Sequence, residues 1–219
     1  GSAPVTPTPA PPRAGVVGDY DGDGTSNIAV FRPSTGLWAV RSFTRAYYGL
    51  STDRPVPGDY DGDGSWEIAV FRPAAGKWLV YGGTSFYYGT ASDHTVPGDY
   101  NGDGTADLAV FRPSQGKWLV RGVTSAYYGG VADFPVSADY DGDGADDIAV
   151  FRAGQGKWLI RDVLTAWFGV STDDPVPADY DGDGADDIAV FRPGQGKWLI
   201  RNRTSVYYGV STDVPVPAD

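Results

Sequence analysis

PVPGDYDGDGSWEIAVFRPAAGKWLVYGGTSFYYG, residues 55–89, is one of five versions of the same passage. Its acidic core, DYDGDG or a near copy, begins at Asp19, Asp59, Asp99, Asp139 and Asp179, forty residues apart each time. One more period reaches Asp219, the last residue. The copies at 139–178 and 179–218 differ at nine of forty positions, and the earlier three have drifted further in the same frame without insertion. A fixed period of this length marks a repeat architecture and governs every other reading.

Within the quoted copy, PVPGDY (55–60) is a short extended run, and IAVFR (68–72), KWLVY (77–81) and SFYYG (85–89) are rich in strand formers. The acidic loop DGDGSWE (61–67), Ala74-Ala75-Gly76 and Gly82-Gly83 separate them, and TASDH (90–94) leads to the next copy. These are strand and turn signals, and no segment carries a helical period. Ile68 and Val70 oppose Ala69 and Phe71, while Trp78 and Val80 oppose Leu79 and Tyr81, so the strands are apolar on both faces. Such strands need a layer on each side. Units of this kind stacked around an axis predict an all-β fold: a β-propeller of five blades, each of four antiparallel strands, with the acidic loop between the first two strands. A β-solenoid, the rival, has shorter coils. The propeller spans 15–219, with repeats starting near Val16, Val56, Val96, Val136 and Val176. The first-strand sequence occurs at both ends, as VVGD (16–19) and PVPAD (215–219), and a closed ring has one slot for it. We expect the C-terminal copy to close the ring as a strap; a longer array is the other reading. Gly1-Ser2 reads as the scar of a removed tag, and residues 3–14 as a proline-rich linker tethering the module to another domain.

The loop has the chemistry of a calcium site. Counted from its first Asp, the second copy places acids at positions 1, 3, 5 and 9: Asp59, Asp61, Asp63 and Glu67, with the carbonyl of Ser65 at position 7. Calcium takes 6–8 oxygens, and alternate acids in a tight glycine-containing loop point to one centre. The first half resembles an EF-hand loop; the second does not, because Val70 stands where that loop needs Glu. The fourth and fifth copies match in full, with Asp139, Asp141, Asp143, Ala145 and Asp147, then Asp179, Asp181, Asp183, Ala185 and Asp187. The first (Asp19, Asp21, Asp23, Thr25, Asn27) and the third (Asp99, Asn101, Asp103, Thr105, Asp107) each exchange one acid for Asn and should bind more weakly. Eighteen of the 28 acids fall at these positions, and five Ca²⁺ ions would bring the formal charge of −11 close to neutrality. Without metal each loop would crowd like charges. Loops of this class fill at extracellular calcium concentrations, which points to a secreted protein.

Composition excludes much else. With no Cys there is no disulfide framework or thiolate site, and one histidine, His94, argues against a triad or a multi-histidine zinc site. The acid excess argues against nucleic acid, and no apolar run approaches a membrane span.

The residues resemble the FG-GAP and VCBS repeat families, most closely in Phe168-Gly169-Val170, then Pro177-Ala178-Asp179-Tyr180-Asp181-Gly182-Asp183-Gly184, then Asp187-Ile188-Ala189-Val190. The resemblance covers 16–219. It departs where four copies carry Tyr-Tyr-Gly for Phe-Gly, and where Phe-Arg-Pro or Phe-Arg-Ala replaces Gly-Ala-Pro, which is more like the bacterial version. It implies a blade fold, bound calcium and an extracellular binding or adhesion role, and it names no ligand.

Other residues recur once per copy. Trp38, Trp78, Trp118, Trp158 and Trp198 read first as packing between blades, with sugar-stacking platforms as the sharper alternative. Of each Tyr pair one member should be buried and the other a ligand contact; Tyr48, Tyr88, Tyr128 and Tyr208 are the candidates. Arg32, Arg72, Arg112, Arg152 and Arg192 read as partners of linker acids such as Asp53, Asp93 and Asp173. Asn202-Arg203-Thr204 matches a glycosylation acceptor that would be incidental in a bacterial protein. The expected function is a non-catalytic binding module for carbohydrate or a cell-surface or protein ligand, through sites between blades. It would be monomeric and tethered to a larger secreted protein. A structural scaffold is the alternative. A polysaccharide-active enzyme fits less well, since no one blade carries a distinctive catalytic group.

Overall fold

The computed structural model describes residues 18–203 and 205–210. The expected scar and linker at 1–14, Val16, Thr204 and the repeated first-strand sequence at 215–219 lie outside them, and so does the expected closing strap.

Each copy folds into one blade. In the second, Arg54–Pro55, Ala69–Arg72, Lys77–Val80 and Ser85–Tyr87 pair in that order, each antiparallel to the next. The third repeats this with His94–Thr95, Ala109–Arg112, Lys117–Val120 and Thr124–Tyr127. The fourth uses Phe134–Pro135, Ala149–Arg152, Lys157–Ile160 and Leu164–Trp167, and the fifth Asp174–Pro175, Ala189–Arg192, Lys197–Ile200 and Val206–Tyr207. The first blade shows three strands among the described residues, Ala29–Arg32, Leu37–Val40 and Thr44–Tyr47. The fold is therefore the expected all-β five-bladed propeller. Helical structure among the described residues is limited to short 3-10 turns such as Pro73–Ala75, and none could cross a membrane.

The turn between the middle strands shows why the sequence is fixed there. Gly76 closes the 3-10 turn with φ +57°, and a Cβ at this position would come within 2.5 Å of the Gly89 carbonyl oxygen. Its own carbonyl accepts the Tyr88 N–H at 2.8 Å, which pins the end of the fourth strand to the turn. Only glycine supplies both the backbone conformation and the space.

The core lies between blades. Trp78, Phe71, Ala69 and Val80 of the second blade pack on Leu108 and Val110 of the third, and the same residues of each copy pack on the next. Val70, Val110, Val150 and Val190 have no exposed surface, which is the sandwiched strand the apolar alternation predicts. The indole N–H groups of Trp38, Trp78, Trp118 and Trp158 donate to the carbonyls of Tyr48, Tyr88, Tyr128 and Phe168. Those four rings are buried and offer no face to a sugar, so the stacking-platform alternative fails for them; Trp198 alone is half-buried.

Four of the five recurring arginines, all but Arg32, are internal latches. Arg112 Nε and Nη2 donate to the two carboxylate oxygens of Asp93 at 2.9 and 2.8 Å, and Arg72–Asp53, Arg152–Asp133 and Arg192–Asp173 repeat the fork. Each Asp is buried. Burial pushes the Asp93 carboxyl up, but the Arg112 fork and the Thr90 N–H outweigh it and hold the group below its ordinary range.

Candidate metal centres and an axial cleft

The first Asp of each loop builds the loop. Asp59 Oδ1 accepts the Gly62 N–H at 2.6 Å and Oδ2 the Gly64 N–H at 2.9 Å, and Asp19, Asp99, Asp139 and Asp179 do the same with their own glycines. Gly64 turns through φ +91°, with no atom within 4 Å of where a Cβ would stand. The backbone doubles back, and the acids at positions 3, 5 and 9 swing toward the first. The ninth residue ties the loop shut: Glu67 Oε2 accepts the Tyr60 N–H at 2.7 Å, and Asp107, Asp147 and Asp187 repeat this. The Tyr60 hydroxyl in turn donates to the Val56 carbonyl, rooting the loop on the inner strand.

Oxygens of Asp59, Asp61, Asp63 and Glu67 lie within 4.8 Å of one another. The first loop gathers Asp19, Asp21 and Asp23; the fourth Asp139, Asp141 and Asp147; the fifth Asp179, Asp181 and Asp187. Asp143 and Asp183 stand outside these trios, each accepting the N–H of Ala145 or Ala185. Thr25, Ser65 and Thr105 likewise donate backbone N–H to the position-5 acid, and the Ser65 and Thr105 hydroxyls donate to it as well. With Asn101 in place of an acid, Asp99, Asp103 and Asp107 form no such group. In the first loop Asn27 Oδ1 accepts the Tyr20 N–H at 2.6 Å, while Nδ2 donates to Asp21.

The donors are all oxygens, which suits a hard cation and not a zinc or copper ion. Electrostatics agree. Burial, then the charges of Asp61, Asp59 and Asp63, push Glu67 up to about 7 against the pull of the Tyr60 N–H. Asp147 is pushed up to about 6 for the same reasons, and Asp107 and Asp187 are raised too. A carboxyl that resists ionising among its neighbours is one that a divalent ion would relieve.

Two features of the loops escape sequence reasoning. Neighbouring loops are chained: the N–H of Trp66, Ala106, Asp146 and Asp186 donates to the carbonyl of Asp19, Asp59, Asp99 and Asp139, at 2.6–2.7 Å. The fifth loop also holds an internal cation, since the Arg203 guanidinium meets Asp181 and lies 3.2 Å from Asp187.

The aromatic pairs need a correction. The outward members are Tyr47, Tyr87, Tyr127, Trp167 and Tyr207; Tyr48, Tyr88 and Tyr128 are half-buried, and of the expected set only Tyr208 is exposed. Strand register decides it. Tyr87 pairs with Lys77, whose ammonium sits over its ring, and Tyr88 therefore turns inward, as Tyr48 does to bond the Val80 carbonyl of the next blade.

A cleft of about 520 Å³ lies instead where the inner strands approach the axis, lined by Arg54, Asp93, His94, Phe134, Pro135 and Pro175 among others. Arg54 spans it, with Nη1 donating to the Asp93 carbonyl at 2.9 Å.

Residues 94–132, thirty-nine residues of the forty-residue period, match the model of the FG-GAP repeat. No curated protein matches the chain.

Proposed function

We propose that this chain, an FG-GAP-type repeat propeller, is a calcium-stabilised, extracellular, non-catalytic binding module whose ligand is read at the axial cleft. The observation that carries the reading is a contrast within the repeat. Blade, latch and loop positions are kept from copy to copy. Of the forty positions, one differs in all five copies, and it is occupied by Arg54, His94, Phe134, Asp174 and Val214. Three of these, Arg54, His94 and Phe134, line the cleft. A cation, an imidazole and a ring on rigid short strands make a mixed polar and apolar surface for carbohydrate or a protein segment. The loops supply the rigidity once filled: oxygen-only donor sets with raised carboxyls fit Ca²⁺ at extracellular concentrations.

A glycan, polysaccharide and peptide array in millimolar calcium, with an EDTA-treated control, tests this. Expected are hits that require calcium and that Arg54→Ala with Phe134→Ala removes. Hits indifferent to both changes place the ligand elsewhere, and a blank array with folded protein favours the scaffold role.

A further inference from the structure

The axial cleft holds a cation that is fixed in place but not neutralised. Arg54 Nη1 donates to the Asp93 carbonyl at 2.9 Å and Nη2 to the Ala91 carbonyl at 3.4 Å. Carbonyls orient a guanidinium and leave its charge unanswered. Among the described residues Arg54 makes no ion pair, whereas Arg72, Arg112, Arg152 and Arg192 each meet a buried Asp and Arg203 meets two loop acids. A guanidinium carries five N–H donors, and with two in use three are left for a ligand. The acid in the lining, Asp93, is spent: its side chain is fully buried and both its oxygens take the Arg112 fork. Asp174 precedes the lining Pro175 but is not itself in the lining. The free charge of the lining is therefore positive, in a chain of formal charge −11. Each acidic loop begins five residues beyond its copy's cleft position, and calcium would cancel much of its charge.

Beside the cation stands an apolar platform. Phe134 is 51% exposed on a strand paired with Ala149–Arg152, and Pro135 and Pro175 lie in the same lining. The edge that faces the axis does not suit an added peptide strand. Val56, Val136 and Val176 spend their N–H groups on Ala69, Ala149 and Ala189. The axis-facing N–H would belong to the residue before each, and Pro55, Pro135 and Pro175 have none there; Thr95 of the third copy keeps one. A peptide backbone would find no ladder of donors, and a sugar ring needs none. On the reading that this cleft is the ligand site, we propose that it takes a hexuronic acid residue of an acidic polysaccharide. The carboxylate meets the Arg54 guanidinium, with His94 as a further N–H donor, and the apolar face of the sugar lies on Phe134. Because the cleft position differs in every copy, the chain has one such site, unlike its repeated loops.

The test titrates the whole chain in millimolar calcium with trimers of galacturonate, glucuronate and mannuronate, with their methyl esters, and with a peptide ending in a free carboxylate, read by calorimetry. At least one acid trimer should bind once per chain, and its ester about tenfold more weakly or worse, as loss of a charge-assisted pair does. Arg54→Gln should bring acid and ester to one affinity, and Phe134→Ala should weaken both alike. Both side chains are exposed, and circular dichroism checks that each variant keeps its fold. An ester that binds as well as its acid overturns the proposal, as does a preference for the acid that survives Arg54→Gln; if Phe134→Ala still weakens that binding, the cleft remains the ligand site. Acid trimers that do not bind overturn it too, and binding of the peptide alone does so in favour of a protein partner. Binding indifferent to both substitutions removes the cleft reading along with the proposal.

Discussion

The second and fifth loops carry nearly the same letters and differ in charge balance. In the second, Asp59, Asp61, Asp63 and Glu67 converge with no ion pair to a cation of the described residues, and Glu67 is pushed up to about 7. In the fifth, Asp179, Asp181 and Asp187 converge in the same way, but Arg203 reaches in from the turn between the blade's third and fourth strands and meets Asp181 and Asp187. One loop could take its counter-charge only from an external ion, and the other is partly answered from within. A ligand motif therefore specifies a place for an ion, while the surrounding turns specify how much the ion is wanted.

The strongest way to break the comparison is to remove the ion altogether. With each of the three unanswered loops whose acids gather, the first, second and fourth, held about tenfold above its Kd, calcium would contribute roughly 1.4 kcal/mol per loop, about 4 in total. That is a large share of a domain stability of ~5–15 kcal/mol. EDTA should lower Tm by about 12 °C in a thermal melt, taking ~3 °C per kcal/mol for a chain of this size. An unchanged melt would remove calcium from the account of stability. The next largest effect has the opposite dependence. Asp93 is answered permanently by Arg112, so Asp93→Ala should cost about 3 kcal/mol in urea unfolding, as loss of one partner of a buried pair does. The loss should be equal with and without EDTA; a loss confined to the calcium form would mean that latch and loops act as one system.

The blade and the loop were legible because both are written locally. Alternating apolar residues in Ile68 to Phe71 and the acids of Asp59 to Glu67 each lie within a dozen residues, and forty-residue repetition gave the stacking. The Arg72–Asp53 latch was legible because both partners recur once per copy. What stayed hidden depends on one copy or on register. Arg203 is a single change against Val163, and nothing in the motif says that its turn hangs over the loop. Which of Tyr87 and Tyr88 faces out is set by the pairing of Tyr87 with Lys77, and a shift of one residue exchanges them. The axial cleft is invisible for a related reason: Arg54, His94 and Phe134 are far apart in sequence and meet only because short inner strands converge.

Arg203→Ala sharpens the contrast directly. Removing a guanidinium that competes with a divalent ion for Asp181 and Asp187 should tighten the fifth site by about tenfold, the ~1.4 kcal/mol expected of a half-screened neighbouring charge. Calorimetric titration should then fit one more strong site than the unaltered chain. Superimposable isotherms would show that Arg203 yields to calcium at no measurable cost.

The smallest expected effect concerns the first loop, where the imbalance is of a different kind. Asn27 holds the position that Glu67 holds in the second loop and keeps its structural duty, accepting the Tyr20 N–H through Oδ1. Its amide nitrogen, however, donates to Asp21 at 3.3 Å and so occupies an oxygen that an ion would use. Asn27→Asp retains the acceptor for Tyr20, releases Asp21 and adds a fourth carboxylate. The gain is partly offset by crowding in the metal-free state, so calcium should bind about three- to fivefold tighter, less than ~1 kcal/mol. The same titration reads it, with Asn27→Ala as the control that releases Asp21 without adding charge. If Asn27→Ala tightens binding as much as Asn27→Asp does, the amide's hold on Asp21 is the whole difference between the loops, and the charge at position 9 contributes nothing.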